Sequence, residues 1–505
     1  MLPKRNLAAN FAGQGWSAVV GLAFVPVYIN QLGVEAYGLI GLYVVIQIWL
    51  SVLDLGMTPT MTRETARLDS GAHSAESIAD LMRSIEFICF SIAAVIGISL
   101  WLGSGWFARH WITSETLSER VVANSLAIMG FVAAGRFCEG IYRGALYGLE
   151  RQVFYNAVYA FLATLRYGGA ALLVIWVPSI EAFFWWQAGL SVVTVGILAT
   201  ATWSFLPRAT QRARFSSESL SRIGAFAGGM TLTGLFGLLF TQADKMLLTS
   251  MVDLESFGRY MLAVALGGLF PMLVGPIAAA VFPQLTSVVA SGDEEGEVTL
   301  FRAATQLAAI LLAPALAVCV IAGYRVMFAW TGDPELAGVV GPILALIAIG
   351  GFCHGLIMVP FMLQLAHGWT TLSIRVNIIG LLVLLPTAYF GITQFGIVGA
   401  AFAWAGSNIV VSILATIVMH RRILVLERFL FIRDAVIMPI AVSFGIVGLI
   451  IMLLWDQHGR MLNLAAVLGA GIAAVLGCCL ALPEPRRLLL YLLRAGKHND
   501  ANHIQ

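Results

Sequence analysis

Apolar stretches of about 20 residues, separated by short polar or glycine-containing breaks, fill nearly the whole chain. About 20 predominantly apolar residues in helical form cross the roughly 30 Å hydrocarbon core of a bilayer. The pattern therefore predicts fourteen membrane helices, at about 7–30, 36–57, 84–103, 121–142, 156–176 and 182–205, then 223–250, 257–285, 303–323, 338–363, 372–392 and 397–419, and finally 434–455 and 462–482. The first is expected to remain uncleaved. Met1-Leu2-Pro3-Lys4-Arg5 leads into a long segment carrying Asn10 and Gln14, without a compact apolar core and a small-residue cleavage site. The longest outer connection, from about Gly103 to Arg120, leaves no room for an external catalytic domain.

Three short matches recur in the same order. Glu35-Ala36-Tyr37-Gly38 returns as Glu255-Ser256-Phe257-Gly258, Phe137-Cys138-Glu139-Gly140 as Phe352-Cys353-His354-Gly355, and Ile197-Leu198-Ala199-Thr200 as Ile413-Leu414-Ala415-Thr416. A shared order at an offset of about 215 to 220 residues indicates a duplicated six-helix unit. Six crossings is an even number, so the second copy re-enters from the same side and the repeats are parallel. The expected organisation is an all-α polytopic fold: a six-helix bundle at 1–206, a cytoplasmic connector at 207–222, a second six-helix bundle at 223–420, two additional membrane helices at 421–483, and a cytoplasmic tail at 484–505.

Composition agrees with the pattern: 59% of the 505 residues are hydrophobic, 11% are charged, and the mean hydropathy is +0.89. The 51 glycines suit closely packed membrane helices. A net charge of +2 gives no case for nucleic acid as a partner. Its distribution says more. With the N-terminus cytoplasmic, 20 of the 29 lysines and arginines fall on the inner side, 5 on the outer side and 4 within helices. That bias places both termini inside, in a bacterial inner membrane. The acidic loop from Thr286 to Arg302 does not overturn it, since acids count little in this rule. All six cysteines lie in apolar segments without metal-ligand spacing and read as buried thiols.

The chain carries no phosphate-cradling glycine loop, nucleophile elbow or metal-ligand cluster, so neither an ATP-driven mechanism nor an enzyme is indicated, and no cofactor is expected. Attention falls instead on charges at membrane depth, each costing about 2.5–3.5 kcal/mol to insert. Four cations qualify: Arg136, Arg166, Lys245 and Arg375. Together they suggest a cavity for an anionic group. Arg375 lies about one turn inside its helix, where snorkelling also accounts for it. Arg136, Glu139 and Arg143 stand at helical spacing, which also fits an ion-paired face. Arg166 has no acid at helical spacing. Lys245 adjoins Asp244, but neighbours project about 100° apart, so the two are not expected to neutralise each other face to face.

Asp54, Glu86, Glu139, Asp244 and His354 are the candidate coupling-ion or proton sites; Glu139 and His354 occupy equivalent repeat positions, and histidine titrates in the physiological range. For Asp54 and Glu86 snorkelling or local pairing is the plainer reading, and for Glu139 and His354 an interhelical hydrogen bond, whereas at least one of Asp244 and Lys245 is expected to meet another helix or the lumen. Asn10 and Gln14, with Ser17, share one face of the first helix. These and Gln242 are candidate polar lining of a passage, or interhelical glue.

Leu32-Gly33-Val34-Glu35-Ala36-Tyr37-Gly38-Leu39, followed by Asp54-Leu55-Gly56 and Arg63-Glu64-Thr65-Ala66-Arg67, resembles the first hairpin of the polysaccharide repeat-unit flippases (Wzx type). Thr241-Gln242-Ala243-Asp244-Lys245 and Phe257-Gly258-Arg259-Tyr260 resemble their seventh and eighth helices. These proteins belong to the superfamily that includes the multidrug and toxin extrusion transporters. The resemblance, over most of residues 1–420, implies a V-shaped pair of six-helix bundles around a cationic cavity. It implies as cargo an undecaprenyl-diphosphate-linked oligosaccharide unit, carried from the cytoplasmic to the periplasmic leaflet for O-antigen or exopolysaccharide assembly. It further implies membrane lipids, a polysaccharide polymerase and a chain-length regulator as partners. Alternatives are a cation-coupled multidrug exporter, a lipid II flippase and, more remotely, a membrane polysaccharide polymerase or ligase. The drug exporters often carry acids in their N-terminal bundle, and the first helix here has none.

Overall fold

The computed structural model describes residues 4–54, 56–68, 74–211, 213–216, 224–454 and 459–484, with side chains apart from those of 4–9, 11 and 224–234. Arg212 and residues 217–222 of the expected connector, and the expected tail from 485 onward, lie outside the described residues.

Twelve described stretches are helical, long and apolar enough to cross a membrane. The other two expected spans also have helical counterparts. Gly224–Met251 is a helix of 28 residues. Thr371–His420 runs 50 residues, about 75 Å at 1.5 Å per residue and more than two hydrocarbon thicknesses. It breaks at Gly396, whose φ of 57° and ψ of −137° no helix accommodates, and so supplies the two expected spans 372–392 and 397–419. The chain forms two compact units, Met1–Gly258 and Arg259–Gln505.

The first unit contains α1 (Lys4–Ala23), α2 (Val25–Leu32), α3 (Val34–Leu50), α4 (Met57–Ala66), α5 (Ala75–His110), α6 (Glu119–Gly148), α7 (Gln152–Thr164), α8 (Ala170–Trp176), α9 (Ile180–Phe205) and α10 (Gly224–Met251). The first turn of α11 (Leu254–Gly267) also belongs to it. The central helix is α6, which touches α3, α4, α5 and α9. Its core contains Met82, Ile85, Cys89, Ile141 and Tyr142. Serines cap α5, α6 and α9: Ser74, Ser118 and Ser179 accept the N–H of Ser77, Val121 and Ala182. Each cap is worth about 1 kcal/mol and fixes where a crossing begins.

Hydropathy alone misses α4, a polar helix between the second and third expected spans. It lies on Gly140, Gly144 and Gly148 of α6, one helical face, and a side chain at Gly144 would collide with the Thr58 carbonyl. Small residues at this spacing let two backbones approach.

The repeated motif meets its own copy. A side chain on Gly38 would strike the Leu254 carbonyl oxygen, and one on Gly258 would strike that of Val34. The same end of the unit is tied by the loop after α5. Thr113 and Asp253 form an isolated parallel bridge, the Leu254 N–H donates to the Thr113 carbonyl at 2.8 Å, and the Trp111 indole donates to Thr249 at 3.0 Å. The buried Glu35 carboxylate receives the N–H groups of Glu115 and Thr116 at 2.7 and 2.9 Å, and the Thr116 hydroxyl.

The second unit contains the rest of α11, then α12 (Leu269–Ser291), α13 (Glu294–Thr331), α14 (Pro334–Leu356), α15 (Met358–Ala366), α16 (Thr371–His420), α17 (Arg428–Phe431), α18 (Met438–Leu453) and α19 (Arg460–Ala481). Here α13 is central, packing on α12, α14, α18 and α19. The added hairpin α18–α19 is held partly by Arg460, which donates to the carbonyls of Ala329 and Trp330 at 3.0 and 2.8 Å.

Candidate functional site

In the first unit a cavity of about 390 Å³ opens between α3, α6 and α7. Each wall is a polar stripe on an apolar helix. Gln47, Ser51 and Asp54 recur at intervals of four and three residues along α3 and its 3₁₀ extension; Arg136, Glu139, Gly140 and Arg143 do so along α6. The third wall carries Tyr155 and Tyr159, whose rings stack at 5.7 Å.

Glu139 organises the charge. One carboxylate oxygen receives Arg136 at 3.0 Å, the other Arg166 at 3.1 Å. Arg166 also donates to the Thr194 hydroxyl at 3.2 Å. Arg166 and Glu139 are buried at 6% and 7% exposure, whereas the Arg136 side chain keeps 22% and lines the cavity. Arg143 is exposed, lines the cavity and makes no ion pair among the described residues.

Arg166 thus finds its acid on another helix, 27 residues earlier. A local widening of the helix delivers it there. Between α7 and α8, residues Leu165–Gly169 form a π turn, which frees backbone carbonyls and turns the side chains that follow. The freed groups are occupied: Leu165 O accepts from the Trp186 indole at 3.0 Å, Tyr167 O from the Tyr28 hydroxyl at 2.6 Å, and Arg166 O from Gln187 at 3.4 Å.

The other expected residues are placed as follows. Asp54 lines the cavity and caps α4, accepting the Thr58 N–H at 3.2 Å and hydroxyl at 2.8 Å across left-handed Gly56. Glu86 lies in the α5–α6 core, paired with Arg83 at 2.9 Å and receiving the Tyr142 hydroxyl and Trp203 indole at 2.9 and 2.8 Å. Asn10 joins α1 to α7 through Gln152 at 2.9 Å and Asn156 at 2.5 Å, while Gln14 is exposed.

Lys245 and Asp244 differ from the expectation for neighbours on a helix, because the ammonium bonds the Asp244 carboxylate at 3.1 and 3.3 Å. It also bonds the Thr241 carbonyl at 2.8 Å. The reason is reach: four methylenes carry the ammonium across the 100° that separates the Cβ directions. Gln242, on the same helix, is buried with no partner for its carbonyl oxygen. In the second unit Arg375 is exposed on the first turn of α16. His354 lies within α14 with Nδ1 buried and without a partner.

Of the four cations, then, Arg136 lines the cavity and Arg166 supports it from behind through Glu139. Sequence reasoning passed over Gln47, Arg143, Tyr155 and Tyr159 as lining; the signal for them was polar and tyrosine positions at three- and four-residue spacing on neighbouring helices. Among the described residues no group of three or more His, Cys, Asp or Glu side chains could hold a metal ion.

A family model described as polysaccharide biosynthesis protein matches residues 4–289. The "Putative O-antigen transporter" of Shigella flexneri is 18% identical over 411 residues, covering 79% of this chain and 94% of the relative. The "Probable flippase AglR" of Haloferax volcanii is 22% identical over 421 residues, covering 81% of this chain and 82% of the relative. Among solved structures, the inward closed conformation of the lipid II flippase MurJ superposes with a TM-score of 0.70 at 14% identity, over 93% of this chain and 98% of that one.

Proposed function

The chain belongs to the polysaccharide biosynthesis protein family, as a polysaccharide-related flippase rather than an enzyme, and from that premise we propose that it carries undecaprenyl-diphosphate-linked oligosaccharide repeat units from the cytoplasmic to the periplasmic leaflet. The observation that carries this reading is the first-unit cavity. Among the described residues Arg143 carries no ion pair, and Arg136 shares its acid with Arg166, so both guanidinium groups have donors left for a diphosphate. Gln47 and the tyrosine pair Tyr155–Tyr159 offer polar and stacking surfaces to a saccharide. Counting Arg166, three cations face two acids there, which suits an anion and disfavours the multidrug-cation alternative.

In this reading 1–206 and 223–420 act as the two moving bundles of an alternating-access cycle, 421–483 is peripheral to it, and both termini face the cytoplasm of a bacterial cell. Arg136 and Arg143 are the diphosphate ligands. Arg166 holds Glu139 in place, and Asp54 fixes the rim of the cavity through α4. Lys245 with Asp244, and His354, are candidates for the coupling step.

The test is charge neutralisation of the lining. Cells carrying Arg136→Gln with Arg143→Gln should accumulate lipid-linked oligosaccharide on the inner leaflet and lose surface polysaccharide at unchanged protein level. Normal surface polysaccharide in that variant would sink the proposal.

A further inference from the structure

The polar cavity has an apolar neighbour on the same helix. Gln47, Ser51 and Asp54 face the first; Ile46, Trp49 and Leu53 face the second; Leu50 lines both. The two stripes are offset by one or two residues, so they look out on different sides of one helical segment. The second cavity holds about 470 Å³, within the range of small-molecule sites, about 300–1,000 Å³. Its other walls come from α5, α6 and α10. Val95 and Leu53 of its lining are 64% and 39% exposed, which gives a long chain an exit towards the bilayer.

The lining is almost wholly carbon, and its Ser104 hydroxyl and Trp111 indole are bonded to Trp101 and Thr249. An apolar cavity that shares Leu50 with a cationic one fits an amphiphile whose apolar chain begins next to an anionic head.

We infer that this second cavity receives the first isoprene units of the substrate's polyprenyl chain. The inference rests on the reading of the polar cavity given above. In that reading a diphosphate held by Arg136 and Arg143 lies on the polar side of Leu50 and the start of its chain on the apolar side. A bilayer phospholipid differs in carrying a singly charged phosphodiester and two acyl chains in place of a diphosphate and one polyprenyl chain.

The experiment uses the full chain in nanodiscs and two photoreactive polyprenyl-diphosphate saccharides, one with a diazirine on the isoprene nearest the diphosphate, the other with a diazirine on the first sugar. The chain probe should label the Trp49 and Val95 segments, and the sugar probe the Tyr155–Tyr159 segment. Unlabelled substrate should suppress both, and excess phospholipid neither. Ser99→Trp, which fills the second cavity, should weaken substrate binding about tenfold, roughly the transfer free energy of two buried methylenes, and should abolish labelling by the chain probe. Val95→Trp, at an exposed position, makes the same test if Ser99→Trp does not fold. Sugar-probe labelling as expected with chain-probe labelling elsewhere, or chain-probe labelling suppressed by phospholipid, overturns the inference and leaves the proposed function standing. Labelling by neither probe overturns both.

Discussion

Replacing Glu139 by glutamine removes the carboxylate that two guanidinium groups share, and the outcome separates support from binding at the cavity. Arg166 is 6% exposed and loses its ion pair, keeping the Thr194 hydroxyl as its side-chain partner. Leaving one member of a buried pair uncompensated costs about 3–5 kcal/mol. At about 2.1 cal/mol/K of unfolding entropy per residue, that lowers the melting midpoint by about 3–9 °C, the low end if all 505 residues melt together and the high end if the first unit melts alone. Arg166→Met should cost a similar amount, because Glu139 then keeps only Arg136, whose side chain is partly exposed at the cavity. The double variant Glu139→Gln with Arg166→Met should lose at least about 2 kcal/mol less than the sum of the singles, the signature of a direct contact. Arg136→Gln leaves Glu139 paired with Arg166, so its midpoint should move by the equivalent of about 1 kcal/mol or less while transport falls. The assays are thermal unfolding in nanodiscs and surface polysaccharide in complemented cells. A stable Arg166→Met protein beside a destabilised Arg136→Gln protein would refute the division of roles.

Three further outcomes follow from the packing. Gly38→Val puts a branched side chain against the Leu254 carbonyl, and overpacking of this kind costs about 1–3 kcal/mol; Gly189→Ala, where nothing lies within 4 Å, serves as the control and should leave the midpoint unchanged. Glu35→Ala strips the acceptor from the Glu115 and Thr116 N–H groups, at a cost of about 1–3 kcal/mol, and hydrogen exchange at those two amides should accelerate before that of the α5 and α6 cores. His354→Leu removes a buried ring nitrogen without a partner, so the melting midpoint should stay or rise; a fall by more than the control variant would show that His354 is bonded in the folded state. If His354 also serves the coupling step, the same variant should fold normally and transport poorly.

The crossings were legible because each is long and strongly apolar, and the short polar breaks between them mark most of their ends. What hydropathy could not supply was anything decided by a neighbour. The polar helix α4 is stabilised by the glycine face of α6, which no local window contains. The break in the 50-residue α16, by contrast, falls at the Thr393-Gln394-Phe395-Gly396 gap between two apolar runs, where Gly396 takes a positive φ. The site shows the same division. Helical spacing disclosed that Arg136, Glu139 and Arg143 share a face, but not that Arg166 arrives from α7–α8 to take half of Glu139. Spacing along one helix cannot register a π turn that rotates a side chain towards another. Lys245 and Asp244 mark a further limit: Cβ directions were a sound guide to the helix and a poor one to a flexible four-methylene stem.

The duplication bears on how such a chain can be built at all. Val34–Gly38 and Leu254–Gly258 are equivalent by sequence, and in the first unit each presents a carbonyl where the other has no side chain. A self-complementary contact of this kind needs one solution used twice, as in an isologous dimer interface, where a surface pairs with its own copy. The oxygens involved belong to backbone, which cannot shift rotamer to admit a methyl group, so a side chain on either glycine cannot be offset by trimming the other copy. The charged residues follow no such rule. Glu139 aligns with His354, and the Arg136–Glu139–Arg166 arrangement is built from positions whose equivalents in the second copy carry no matching charges. Packing that must fit itself keeps the repeat, whereas the charged cluster of the first-unit cavity does not need it. The contrast between shared glycines and unshared charges is what a duplicated scaffold requires if, as proposed, it carries one molecule with unlike ends.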